Sequence, residues 1–189
     1  MKVQKWLIGA LVVLVTGCFF MSSAIAADTP QNRDWEIGAG YQGMWMGGFL
    51  NGISARSWVK QRFGIEGNFF YGGIDADIDY LGSEDADLYV GEIKLMYAPI
   101  VRQYSKFYGG IVGSAGWVDL SGDLVDYKDE IYGLGAFIGS EFRFAEFPEL
   151  GFNFDVGYRH YFYDDTIEGR DIDLDIKGIN ATFGIHYYF

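Results

Sequence analysis

The chain has 189 residues, with 14 basic against 26 acidic ones and a net charge of −12. That length suits one domain, and the acidic balance argues against nucleic acid as a partner, because phosphate binding needs clustered cations. Aromatic residues make up 19% of the chain, yet beyond residue 26 no apolar run approaches the ~20 residues of a membrane helix. A membrane barrel stays open, since its lipid face needs apolar residues only at alternate positions.

The chain opens with Lys2 and Lys5, an apolar run from Trp6 to Met21, and Ser22-Ser23-Ala24-Ile25-Ala26. A basic start, an apolar middle and a small-x-small end make residues 1–26 a secretory signal peptide, cleaved after Ala26. A retained anchor is the alternative. Val15-Thr16-Gly17-Cys18 also resembles a lipobox, although Phe19-Phe20-Met21 would follow the anchored cysteine awkwardly. Cleavage leaves 163 residues, with 12 bases, 26 acids and no cysteine, so disulfides and cysteine-based sites are not expected. Residues 27–33 read as a short lead and 34–189 as a single domain.

Alternation with a period of two divides the rest into eight segments. Segment one, Trp35 to Trp45, is apolar at odd positions, with Glu36 and Gln42 opposite. Segment two, Ile53 to Lys60, is the weakest, because Trp58 falls on the polar side with Arg56. Phe63 to Tyr71 sets an apolar face against Glu66 and Asn68. Tyr89 to Tyr97 opposes Glu92 and Lys94, and Phe107 to Trp117 alternates with glycine and serine. Tyr132 to Phe144 opposes Glu141 and Arg143. Leu150 to His160 opposes Asn153, Asp155 and Arg159. Ile179 to Phe189 opposes Asn180, Thr182 and His186.

Each apolar face is free of Lys, Arg, Asp and Glu, and its aromatics gather at segment ends: Trp35, Trp45, Tyr71, Tyr89, Tyr97, Phe107, Trp117, Tyr132 and Phe144. Two interfacial girdles have that pattern. A soluble sandwich would also alternate, but it would bury its apolar face in a small core. The expected fold is all-β: an eight-stranded antiparallel up-and-down transmembrane β-barrel, which leaves no backbone group unsatisfied in lipid. The connections Lys60 to Arg62, Pro99 to Lys106 and Ala145 to Glu149 are short and belong in the periplasm. The others read as longer or more acidic and belong outside.

With these features the chain resembles the OmpA/OmpX-type family of small eight-stranded outer-membrane barrels, over about residues 34–189. The end Ala181-Thr182-Phe183-Gly184-Ile185-His186-Tyr187-Tyr188-Phe189 looks like the family's C-terminal insertion signal. The resemblance implies that the barrel assembly machinery reads Phe183, Ile185, Tyr187 and Phe189. It also implies a monomer in the bacterial outer membrane, among lipids and lipopolysaccharide.

Inward mid-strand charges are Glu36, Arg56, Glu66, Glu92, Lys94, Glu141, Arg143, Asp155 and Arg159, five acids and four bases. Buried charges must pair, and an eight-stranded barrel leaves room for little but side chains. A lumen filled by ion pairs is therefore expected, with Glu66 and Glu92 near Lys94, and Glu141 near Arg143 and Arg159. The alternatives are a gated pore, a narrow channel or carrier for small hydrophobic molecules, and a lipid A-modifying enzyme. The enzyme has little support. His160 faces outward, His186 faces inward, and neither precedes a serine by two residues as the deacylase pattern asks.

The alternation runs on past the girdles. Asp75, Asp77 and Asp79, and Asp171, Asp173 and Asp175, take the outward face. Ile74, Ile78, Tyr80, Ile172, Leu174 and Ile176 turn inward, with Leu88, Val90, Val118, Leu120 and Ile131 to form an apolar plug. A pocket for a hydrophobic ligand is the rival reading. Neither acidic run continues as an EF-hand, which needs Gly at its sixth and Glu at its twelfth position. Weak divalent binding at the rim stays open. No metal or cofactor is expected.

Overall fold

Alternating apolar and polar residues can satisfy both faces of a sheet when one side is filled by polar contacts and the other meets an apolar solvent. The computed structural model describes residues 34–46, 48–78, 82–121, 126–167 and 170–189, the side chains of 74–86, 118–129 and 163–176 excepted. Eight strands follow in chain order: β1 Trp35–Trp45, β2 Phe49–Val59, β3 Phe63–Ile78, β4 Gly82–Val101, β5 Ser105–Ser121, β6 Asp126–Phe144, β7 Phe147–Ile167 and β8 Arg170–Tyr188. Each pairs antiparallel with the next, and β8 closes on β1. The expected signal peptide, Cys18 and the expected lead lie outside the described residues.

The pleat sorts the side chains as the alternation requires. Ile37, Ile53, Ile93, Ile111, Leu134 and Ile179 stand exposed on the outer face. Trp58, Phe70, Val90, Met96 and Tyr108 are buried inside. Aromatics ring both ends of the outer face. At one end Tyr71, Tyr89 and Trp117 make successive ring contacts with centroids 5.1 and 6.1 Å apart. At the other, Phe63 meets Tyr97 at 5.2 Å and Phe142 stacks on Phe152 at 5.4 Å. Between Trp35 and Trp45, a strand rising ~3.3 Å per residue and tilted ~40° climbs ~25 Å. That is the height of an outer-membrane barrel's apolar band.

Two expectations about connections need correction. Segment two begins four residues earlier than its alternation suggests, at Phe49. Leu50 is buried opposite Met44, so the first hairpin leaves only residues 46–48 between strands. The connection after β1 is thus no longer than Lys60 to Arg62, where Lys60 and Gln61 take positive φ values of 48° and 61°. The length at this end of the barrel lies in the strands. β3 to β8 have 16 to 21 residues against 11 in β1 and β2. Pairing continues past the girdle, as in Asp75↔Asp85 and Asp87↔Asp119.

At the opposite end β4 reaches Val101 and β5 starts at Ser105, so Lys106 belongs to a strand and not to a connection. A register shift between Tyr97 and Ile100 accommodates Pro99. Proline cannot donate to the ladder, and sheets tolerate it at such irregular positions.

Candidate functional site in the barrel lumen

Every strand contributes to the charged interior. β1 supplies Glu36, β2 Arg56, β3 Glu66, β4 Lys94, β5 Lys106 and Tyr108, β6 Glu141 and Arg143, β7 Asp155, and β8 Thr182 and Tyr188. All are inward and buried. The ion pairs form one chain. Lys106 Nζ lies 3.0 Å from Glu36, which Arg143 meets at 2.9 Å. Arg143 lies 2.9 Å from Glu141, which Arg56 meets at 3.0 Å. Arg56 also pairs with Glu66. Lys94 Nζ sits 2.9 Å from Glu66 and 2.7 Å from Asp155.

Neutral donors complete the carboxylates. The Tyr108 hydroxyl donates to Asp155 at 2.5 Å, and the Tyr188 hydroxyl to Glu141 at 2.5 Å. Thr182 donates to Asp155 at 2.9 Å and Asn68 to Glu66 at 2.8 Å. Rings cover the cations: Arg143 lies 4.0 Å from the centroid of Tyr188, and Lys106 4.7 Å from that of Trp58. This explains why Trp58 interrupts the polar side of β2. It is an inward ring roofing a lysine, and its indole N–H reaches Glu141 at 3.3 Å.

Toward the long hairpins a second unit stands apart. Arg159 pairs with Glu92 at 2.8 Å, and Ser114 donates to Glu92 at 3.2 Å. Above it Met44, Leu50, Phe70 and Val90 form a buried apolar layer, with Leu88 packed against it. Of the sequence-derived plug, the side chains of Ile74, Ile78, Val118, Leu120, Ile172, Leu174 and Ile176, and Tyr80 altogether, lie outside the described residues. So do the acidic side chains of the rim and residues Asp79 and Asp123.

The structure brings all nine sequence-derived charges into the lumen, with two changes of partner. Glu92 takes Arg159 rather than Lys94. Glu141 takes Arg56 with Arg143, because register sets Glu141 opposite Asn153, six positions from Arg159 along β7. Six residues of strand span ~20 Å, too far for a direct pair. Lys106 is the residue that the alternation missed. It lies one position beyond the terminal aromatic of its segment, where a charge reads as part of a turn. Its inclusion makes five acids and five bases among the buried described residues, an even balance.

Glycine makes room for the large inward groups. A Cβ on Gly64 would lie 2.8 Å from Met96 and from the Trp58 ring, and one on Gly139 2.7 Å from Tyr108. Ser54 and His186 also meet inside, with 2.8 Å between Oγ and Nε2. Asn153, its amide turned to accept from Gln42 and Arg56, donates to His186 Nδ1 at 3.1 Å. His186 Nδ1 thus faces an amide, whereas the orienting partner of a serine general base is a carboxylate.

No family model matches the sequence, and no curated protein matches it. Solved structures do match. The N-terminal β-barrel domain of OprF from Pseudomonas aeruginosa aligns with a TM-score of 0.57 at 10% identity, over 84% of this chain and 100% of that one. This chain has the fold of the small eight-stranded outer-membrane β-barrels. A major outer membrane protein from Thermus thermophilus aligns with a TM-score of 0.56 at 14% identity, over 83% of this chain and 100% of that one. OprH from Pseudomonas aeruginosa gives 0.50 at 13% identity, again over 83% and 100%. At such identities the likeness is one of fold.

Proposed function

We propose that this chain is an outer-membrane barrel with a structural or interaction role and a closed, ion-paired lumen. The observation that carries the reading is the unbroken chain of pairs from Lys106 to Asp155, to which every strand contributes either an ion or a hydroxyl. The exposed apolar band between two aromatic girdles suits lipid as its solvent. The short-turn end then faces the periplasm and the long hairpins face outward, where they are the surface offered to partners and to lipopolysaccharide. The reading is non-enzymatic: Ser54 Oγ and His186 Nε2 meet at 2.8 Å, but among the described residues the imidazole Nδ1 faces the Asn153 amide and not a carboxylate.

Purified barrel in planar lipid bilayers tests the closed lumen. It should show no steady conductance, and Arg56→Ala with Glu66→Ala should raise it little, because Met44, Leu50, Phe70 and Val90 still block the way. Large steady conductance in the unmodified protein would overturn the reading in favour of a channel.

A further inference from the structure

At the short-turn end the lumen opens into a polar cavity of about 290 Å3. Its charged lining is Glu36, Arg102, Lys106, Glu141 and Arg143, with Ser105 between the bases. Three bases face two acids, a surplus of +1 in a chain whose net charge is −12. The acids are already engaged. Glu36 accepts from Arg143 at 3.1 and 2.9 Å and from Lys106 at 3.0 Å. Glu141 accepts from Arg143, Arg56, Trp58 and Tyr188.

Donors remain. Lys106 is 5% exposed and turns one N–H to Glu36 and one side to the Trp58 ring. An ammonium has three N–H groups; among the described residues Glu36 is the acceptor that Lys106 reaches by a hydrogen bond, and the Glu141 carboxylate is the second anion facing it. Ser105 is equally buried, and its hydroxyl has no hydrogen bond among the described residues. The side chain of Arg102, more exposed than either, makes none there as well. A cation and a hydroxyl that line a polar cavity of positive surplus are what an oxyanion completes. The volume sits at the lower edge of small-molecule sites, ~300 Å3, so the occupant is small.

We propose that this cavity binds a small free oxyanion, held by Lys106, Ser105 and Arg102. Its facing the periplasm rests on the orientation proposed above, but binding itself does not. The test therefore uses purified, folded barrel in detergent micelles, titrated with inorganic phosphate or acetate at constant ionic strength and followed by backbone amide NMR. Expected is saturable binding of at least one anion, with shifts centred on residues 102–106. Arg102→Gln, at an exposed side chain without a bond to lose, and Lys106→Met should each weaken it about tenfold, the loss of one charged hydrogen bond. The two anions separate a phosphate site from a carboxylate site. The proposal is overturned by absence of saturation with both anions, by affinity unchanged in both variants, or by equal weakening in Lys60→Gln, which would mark bulk attraction. Chemical labelling of the short turns from outside intact cells would overturn the orientation while leaving a binding result intact.

Discussion

Glu66 shows what a single buried charge does in this barrel. It accepts from Arg56, Lys94 and Asn68 while wholly excluded from solvent. Removing its charge breaks two buried pairs at once, leaving Arg56 with Glu141 and Lys94 with Asp155, and breaking a buried pair costs about 3–5 kcal/mol. Glu92 holds only Arg159 among its salt-bridge partners. Glu66→Gln should therefore lower the urea midpoint of micelle-folded protein, read by tryptophan fluorescence, by more than Glu92→Gln does. Equal midpoints for the two variants would show that the long chain of pairs is not energetically joined. The same logic accounts for Lys106. Without it the buried described charges would sum to −1, and with it they balance in a strongly acidic protein.

Among the elements, β8 carries two duties on its two faces. Inward, Thr182, His186 and Tyr188 complete the polar interior. Outward, Phe183, Ile185, Tyr187 and Phe189 are exposed at successive alternate positions, Phe189 at 74%. The Phe189 amide also donates to Ile37 across the β1–β8 seam at 2.9 Å. If that outward face is the insertion signal, stability and recognition by the assembly machinery should be separable, because Phe189→Ala keeps the seam hydrogen bond. That variant should refold in micelles like the parent yet yield less heat-modifiable barrel in outer membranes. Unchanged yield in cells would sink the role of the terminal aromatic as an insertion signal. β4 and β5 show how an element's limits shift a reading of its chemistry. Extending them around the bulge at Pro99 converts Lys106 from a turn residue to a lumen residue.

For the whole molecule the property to test is which end faces the cell exterior. Connection length does not decide it, since the first hairpin is as tight as those at the other end. The asymmetry is in strand length beyond the girdles, which is large for β3 to β8 and absent from β1 and β2. Cysteine at Asp165, late in β7, should react with an impermeant thiol reagent on intact cells. Cysteine at Gln61, between β2 and β3, should react only after the envelope is opened. The reverse pattern would invert the barrel, place the apolar layer toward the periplasm and move the polar cavity to the outside.

Strand number, the two faces of each strand and the membrane-like outer band were legible in the sequence because a period of two is a local property. Each residue's face follows from its neighbours two positions away. The nine mid-strand charges were legible for the same reason. Pairing was not, because it depends on register and barrel shear, which set which residues share a height. Glu92 and Arg159 are 67 residues apart in sequence and 2.8 Å apart in space. The early start of β2 was hidden because Phe49 and Leu50 sit beside glycines, which read as turn. Lys106 was hidden because a charge just past a terminal aromatic reads the same in a turn as in a lumen. Trp58 breaks the alternation of β2 because its inward ring covers a lysine from β5. Such contacts exist only once the sheet has closed, and closure is what turned a list of alternating charges into a neutral interior.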